Sequence, residues 1–161
     1  LLIFLGIKVI LQVLAIDPVY ELQRDEFLHL DLGKHLDWGF LTVPPVTGLL
    51  SKVILLPGGS LFWVKLFPVL FGLLLLYFVW KTVDILNGGL LAKALALSGV
   101  TFSVLVRINT LYQLNSLDFL MWTLVFYFMA HYISTRQPRW IYYTGLTLAI
   151  GFLNRLMEEI A

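Results

Sequence analysis

Apolar residues along this chain gather into five runs separated by polar connections of very unequal length. The runs are Leu1–Ile16, Leu61–Trp80, Leu90–Val106, Phe119–Ile133 and Trp140–Leu153. Each reads as a helix. None carries the polar stripe at three- to four-residue spacing that marks a helix half-facing water. A bilayer crossing takes ~20 residues, with a range of about 17–25. Three of the runs are shorter than that, but flanking Tyr, Trp and Gln residues suit the interfacial ends of membrane helices. The pattern predicts an all-α fold, a polytopic transmembrane helical bundle of about five membrane helices.

The connections add detail. Residues 17–60 form one long loop, whereas Lys81–Gly89 and Ser134–Arg139 are short and edged by Lys81, Arg136 and Arg139, with Lys93 close by. Basic short loops stay on the cytoplasmic side, which puts the long loop on the outer face. Within it, Arg24–Trp38 reads as an amphipathic helix lying along the membrane. At about 100° per residue, Leu28, Leu32 and Leu36 form one stripe, with Asp25 and His29 on the same arc. Glu26, Gly33 and Asp37 line a neighbouring arc. Pro44–Pro45 then enforces an extended step. Val46–Leu56 reads as a second juxtamembrane helix, ended by Pro57-Gly58-Gly59.

Composition supports the membrane reading. The chain has 161 residues, 60% hydrophobic and 13% charged, against roughly 25% charged in a soluble domain. Its mean hydropathy is +0.89. The net charge of +1 comes without a basic tract, so nothing points to nucleic acid. The absence of cysteine excludes disulfides, thiolate metal sites and cysteine nucleophiles. The chain starts without Met inside an apolar run, and it is expected to be the amino-terminal part of a longer protein.

Candidate chemistry gathers on the outer side. Asp25 and Glu26 fall in the first turn of the loop helix, where the macrodipole favours carboxylates in any case. Asp25 also shares the leucine arc, and an ionisable group facing the apolar side is costly unless it is paired or used. Such a carboxylate suits a general base. His29 lies one turn after Asp25, within reach of an i,i+4 pair. Asp118 stands at the mouth of the fourth run, either as a helix cap or as a second outer-face acid. Lys52, Lys65, Arg107 and Arg155 lie at or near the same face. They are expected either to snorkel or to clamp a phosphate.

Taken in order, "YELQRDEFLHLDLGKHLDWGFLTVPPVTGLL", "FWVKLFPVLFG", "LYQLNSLDFLMWTL" and "RWIYYTGLTLAIGFLNR" resemble the amino-terminal portion of a GT-C membrane glycosyltransferase. The nearest resemblance is to the dolichyl-phosphate-mannose-protein mannosyltransferase family, glycosyltransferase family 39, with its bacterial lipid A aminoarabinose transferase relatives. It rests on the Asp25–Glu26 pair, the Pro44–Pro45 step and Asp118. Two positions depart from the pattern: His29 where relatives often carry Tyr, and Val43 where many carry His or Lys.

The resemblance implies an inverting transferase that moves a sugar from a polyprenyl-phosphate donor to a protein, lipid A or cell-envelope glycan acceptor. It places the active site on the outer face, as at a bacterial plasma membrane. It implies Asp25 as catalytic acid, Glu26 as its companion and Asp118 as a second acid. It names no cofactor and leaves a divalent metal open. Two other readings compete, a transporter fragment and a non-catalytic membrane assembly subunit. The first calls for ionisable groups deep in the spans, whereas the acids here sit at one surface.

Overall fold

The computed structural model describes residues 1–16, 22–38 and 45–155. Among these the chain is all helix and turn, with no strand. The helices are α1 (Leu2–Ala15), α2 (Arg24–Leu32), α3 (Pro45–Leu55), α4 (Leu61–Ile85), α5 (Leu90–Thr101), α6 (Leu105–Ile108), α7 (Leu114–Thr135) and α8 (Arg139–Arg155). Two of them, α4 and α7, are long and apolar enough to cross a bilayer, while α1, α3 and α5 are apolar but shorter.

The bundle is built on α4 and α7. Helix α7 packs against both α4 and α8, α5 and α1 lie on α4, and the short α2 and α3 pair with each other. Tight caps keep the connections short. After α4, Asn87 takes a left-handed φ of 58°, Asn87 N–H donates to the Asp84 carbonyl at 3.0 Å, and Gly88 N–H donates to the Val83 carbonyl at 2.8 Å. This is the double bond that satisfies the last carbonyls of a helix when the next residue turns left-handed. Arg136 ends α7 in the same left-handed region, at φ 56°, with its N–H donating to the Tyr132 carbonyl at 2.7 Å.

Burial is inverted relative to a water-soluble core. Gln12, Glu26, Ser51, Thr101, Asn109 and Thr110 are buried, whereas Leu2, Leu90, Leu91, Val104 and Tyr142 are well exposed. Lipid is as apolar as leucine, so helices in a bilayer associate through small and polar residues. Gly33 and Gly72 show the same economy of space. A Cβ at Gly72 would meet Asn109 Nδ2 at 2.6 Å, and one at Gly33 would meet Ser51 Cβ at 2.7 Å and Lys52 N at 2.8 Å. Two apolar clusters fill the rest. Leu30, Ile54, Val64 and Tyr112 join α2, α3, α4 and the α6–α7 connection, and Leu75, Leu117 and Leu120 seal α4 to α7.

Four expectations are corrected. Helix α2 stops at Leu32 rather than running to Trp38, because Gly33 presses its backbone onto α3, and a turn carries the chain away. The packed face of α2 is Glu26, His29, Leu30 and Gly33, not the leucine stripe: Leu28 and Leu36 are 49% and 47% exposed. The run expected to continue to Val106 breaks at Thr101. There Ser103 Oγ donates to the Val100 carbonyl at 2.9 Å and accepts from Leu105 N–H at 3.2 Å, offering the backbone an alternative to the helix. Helix α7 starts at Leu114, so Asp118 lies in its second turn, beyond the cap position. Of the Pro44–Pro45 step, Pro45 opens α3, a position where its missing N–H costs nothing. Pro44 and Val43 lie outside the described residues.

Candidate active site

The amino end of α2 is the organising point. Gln23 caps the helix in extended conformation, and its N–H donates to Glu26 Oε2 at 2.8 Å, one arm of a capping box. Such a glutamate usually faces solvent. Here Glu26 is fully buried, and Lys65 of α4 reaches it with Nζ at 2.7 and 2.8 Å from the two carboxylate oxygens. Tyr112 N–H donates to Oε1 at 2.7 Å. Each oxygen of Glu26 therefore accepts two hydrogen bonds. Desolvating two ions costs several kcal/mol each, and only good geometry with added donors offsets it. This arrangement meets both conditions and fastens α2, α4 and the α6–α7 connection at one carboxylate.

Tyr112 is held along its whole length. Its carbonyl lies 3.3 Å from His29 Nδ1. Its hydroxyl lies 2.8 Å from Ser51 Oγ and 3.3 Å from the Thr47 carbonyl. Ser51 Oγ donates its proton to the His29 carbonyl at 2.6 Å, so the one Tyr112 hydroxyl proton is shared between Ser51 Oγ and the Thr47 carbonyl. Burial pushes the Tyr112 phenol far above its ordinary range, with the Ser51 bond acting weakly the other way. It stays a protonated donor at any working pH.

Asp25 has a different setting. Its side chain is 38% exposed and Arg24 Nε stands 3.4 Å away. Gln113 Nε2 donates to Asp25 Oδ2 at 3.2 Å and to Gln23 Oε1 at 3.3 Å. One carboxylate of the pair is thus saturated and buried, and its neighbour is lightly held and accessible.

Beside this assembly lies a cavity of about 610 Å³. Leu14, Ala15, Ile16, Leu22 and Leu111 give it apolar walls, and Gln23, Glu26, Lys65, Arg107 and Thr110 give it polar ones. Arg107 Nη1 donates to the Ala15 carbonyl at 3.3 Å and forms no ion pair among the described residues. The site thus pairs an apolar wall with a guanidinium; Asp25 does not line it, but its neighbours in sequence and contact, Glu26 and Gln23, do.

The predicted site residues separate on inspection. Asp25, Glu26 and His29 share α2, and Lys65 joins them. Lys65 neither snorkels nor reaches out, since Glu26 takes its ammonium. Lys52 is exposed on the last turn of α3 and does not line the cavity. Asp118 is buried inside α7. Arg155 ends α8, and its side chain lies outside the described residues. Sequence reasoning missed Gln23, Ser51, Tyr112 and Gln113. The only signal was a Tyr-Gln pair set between apolar residues just before α7. Among the described residues no three His, Asp or Glu side chains gather as a metal site would require.

Residues 42–160 match the model of the dolichyl-phosphate-mannose-protein mannosyltransferase family. The match contains Lys52, Lys65, Arg107, Tyr112, Gln113 and Asp118, and Asp25, Glu26 and His29 lie before it. No curated protein and no solved structure matches the chain.

Proposed function

The chain belongs to the dolichyl-phosphate-mannose-protein mannosyltransferase family of GT-C membrane glycosyltransferases, and from that premise we propose that it serves transfer of a sugar from a polyprenyl-phosphate donor, with Asp25 as general base. The observation that carries this reading is the cavity at the α2 end of the bundle. Its apolar walls suit the first isoprene units of a carrier, and Arg107 suits the phosphate.

The reaction follows from those roles. Asp25 takes the proton from an acceptor hydroxyl or amine, whose lone pair attacks the anomeric carbon. The bond from that carbon to the phosphate oxygen breaks on the opposite face, so the configuration inverts. Polyprenyl phosphate is a good leaving group without protonation, and a cation at the developing charge lowers the barrier. Arg107 has the geometry for that, while Lys65 is engaged by Glu26 and Lys52 stands away from the cavity. Glu26 is then a positioning residue: with both oxygens filled, it fixes the start of α2 and so the place of Asp25. The acceptor is a protein, lipid A or an envelope glycan on the extracytoplasmic side of a bacterial plasma membrane.

The test is donor kinetics of the full-length protein with polyprenyl-phosphate mannose. Arg107→Gln should raise the apparent KM for the donor about tenfold or more, as expected for losing a charge-assisted bond to phosphate. Lys52→Gln should leave it within about twofold. Equal donor kinetics for wild type and Arg107→Gln would remove the phosphate from this cavity.

A further inference from the structure

The end of the bundle opposite the cavity carries a feature the transfer reaction does not use. Here α4 meets α5 and α7 meets α8, and three cations lie close to aromatic rings. Lys81 Nζ stands 5.0 Å from the centre of the Trp80 ring and 5.9 Å from that of Tyr77. Lys93 stands 5.3 Å from Trp80. Arg139 lies 5.0 Å from Trp140. A band of ring contacts joins the two corners: Phe78 to Tyr127 at 5.0 Å, Tyr127 to His131 at 4.8 Å, and His131 stacked on Trp140 at 4.1 Å.

The charges of this rim do not cancel. Its one described carboxylate, Asp84, is taken by Lys93. Lys81, Arg136 and Arg139 form no ion pair among the described residues, and both arginines are exposed. Aromatic side chains with an apolar body and a polar tip settle at the headgroup level of a bilayer. Cations held there, with the one described carboxylate taken by Lys93, face the phosphates of the leaflet.

We propose that Lys81 and Arg139, set on the aromatic band of this rim, together with the exposed Arg136 in the α7–α8 turn, form a binding surface for the headgroups of acidic phospholipids. The rings fix the depth of the cations and restrict their rotamers, so less side-chain entropy is lost when a phosphodiester binds. The guanidiniums supply paired donors to its oxygens, and the exposed loop after α7 leaves them accessible.

The test is native mass spectrometry of the detergent-solubilised full-length protein, offered phosphatidylglycerol and phosphatidylcholine at equal concentration. Wild type should retain phosphatidylglycerol in preference, and the preference should fall about fivefold for each of Lys81→Gln, Arg136→Gln and Arg139→Gln. Lys81→Arg keeps the charge and should keep the preference, which guards against a folding artefact. Lys34→Gln with Lys52→Gln, at the other end of the bundle, should also keep it. Equal retention of the two lipids by wild type would overturn the proposal. So would a preference that survives the triple Gln variant, or one that excess inorganic phosphate abolishes, since the site would then be one for free anions.

Discussion

At both ends of α4 a lysine meets a carboxylate, in opposite surroundings. At the amino end Lys65 and Glu26 have side chains 11% and 0% exposed, and Glu26 also accepts from two backbone N–H groups. At the carboxyl end Lys93 and Asp84 are 20% and 47% exposed, and the Asp84 carboxylate makes no further hydrogen bond among the described residues. The chemistry is alike, but the context assigns different work. The buried pair fixes three segments around a cavity, and the open one trims the charge of a rim that faces headgroups. Water decides the difference: an exposed pair is screened and worth little, whereas breaking a buried one strands a charge in an apolar interior.

The sharpest contrast lies within the cavity end, between neighbours. Asp25 is accessible and lightly bonded, and Glu26 is neither. Asp25→Asn in the full-length protein should leave the fold intact and lower sugar transfer by roughly two to four orders of magnitude, the usual worth of a general base. Asp37→Asn, an exposed carboxylate beyond the end of α2, should leave the rate near wild type. The measurement is initial transfer rate at equal folded amounts, and comparable rates for both variants would reduce Asp25 to a helix-start carboxylate.

Glu26→Gln probes the buried pair. It is expected to destabilise the protein by about 3–5 kcal/mol, because Lys65 keeps its charge and loses its counter-ion. Glu26→Gln with Lys65→Met should recover much of that loss, since no buried charge is then left alone. Thermal unfolding in detergent reads both. A double variant no more stable than the single would mean that the Tyr112 and Gln23 bonds, rather than the charge, hold this corner.

Helix existence was legible in the sequence because a long apolar run allows little else. All five runs became helices, and α3 begins one residue from its expected start. The packed face of α2 was not legible, for a physical reason. Leucine periodicity marks the inner face of a helix only when the outer face meets water. In this chain the faces that pack carry Gly33, Gly48, Thr47 and Ser51, and Leu28 turns away from them. The site was half legible. Two adjacent acids after an apolar run drew notice, but their division of labour depends on Lys65, thirty-nine positions on from Glu26, and on a backbone N–H at Tyr112. No local pattern encodes either partner.

Gly33→Ala tests whether that small-residue face sets the site. The new methyl would meet Ser51 Cβ at 2.7 Å and Lys52 N at 2.8 Å. The obstacle is backbone on one side, so α2 must move away from α3. A cost of about 1–3 kcal/mol is expected, as for overpacking elsewhere. The shift should loosen the bond from Ser51 to the His29 carbonyl, and faster hydrogen exchange at the amides of α2 would report it. Unchanged stability and exchange would show that α2 and α3 do not pack this closely.

The smallest effect is expected at the far end of α4. Asp84 is held by Lys93, yet its side chain is half-exposed. Asp84→Asn removes the attraction without burying a charge, because Lys93 stays partly exposed and keeps its place over the Trp80 ring. The unfolding midpoint should stay within about 2 °C of wild type, the range of an exposed pair. Its informative readout is therefore lipid retention rather than stability. Freed of its carboxylate, Lys93 would join Lys81, Arg136 and Arg139 as a fourth cation on the rim. Preference for phosphatidylglycerol should rise by about fivefold. If the midpoint instead falls as far as in Glu26→Gln, the open pair is structural, and burial is not what separates the two ends of α4.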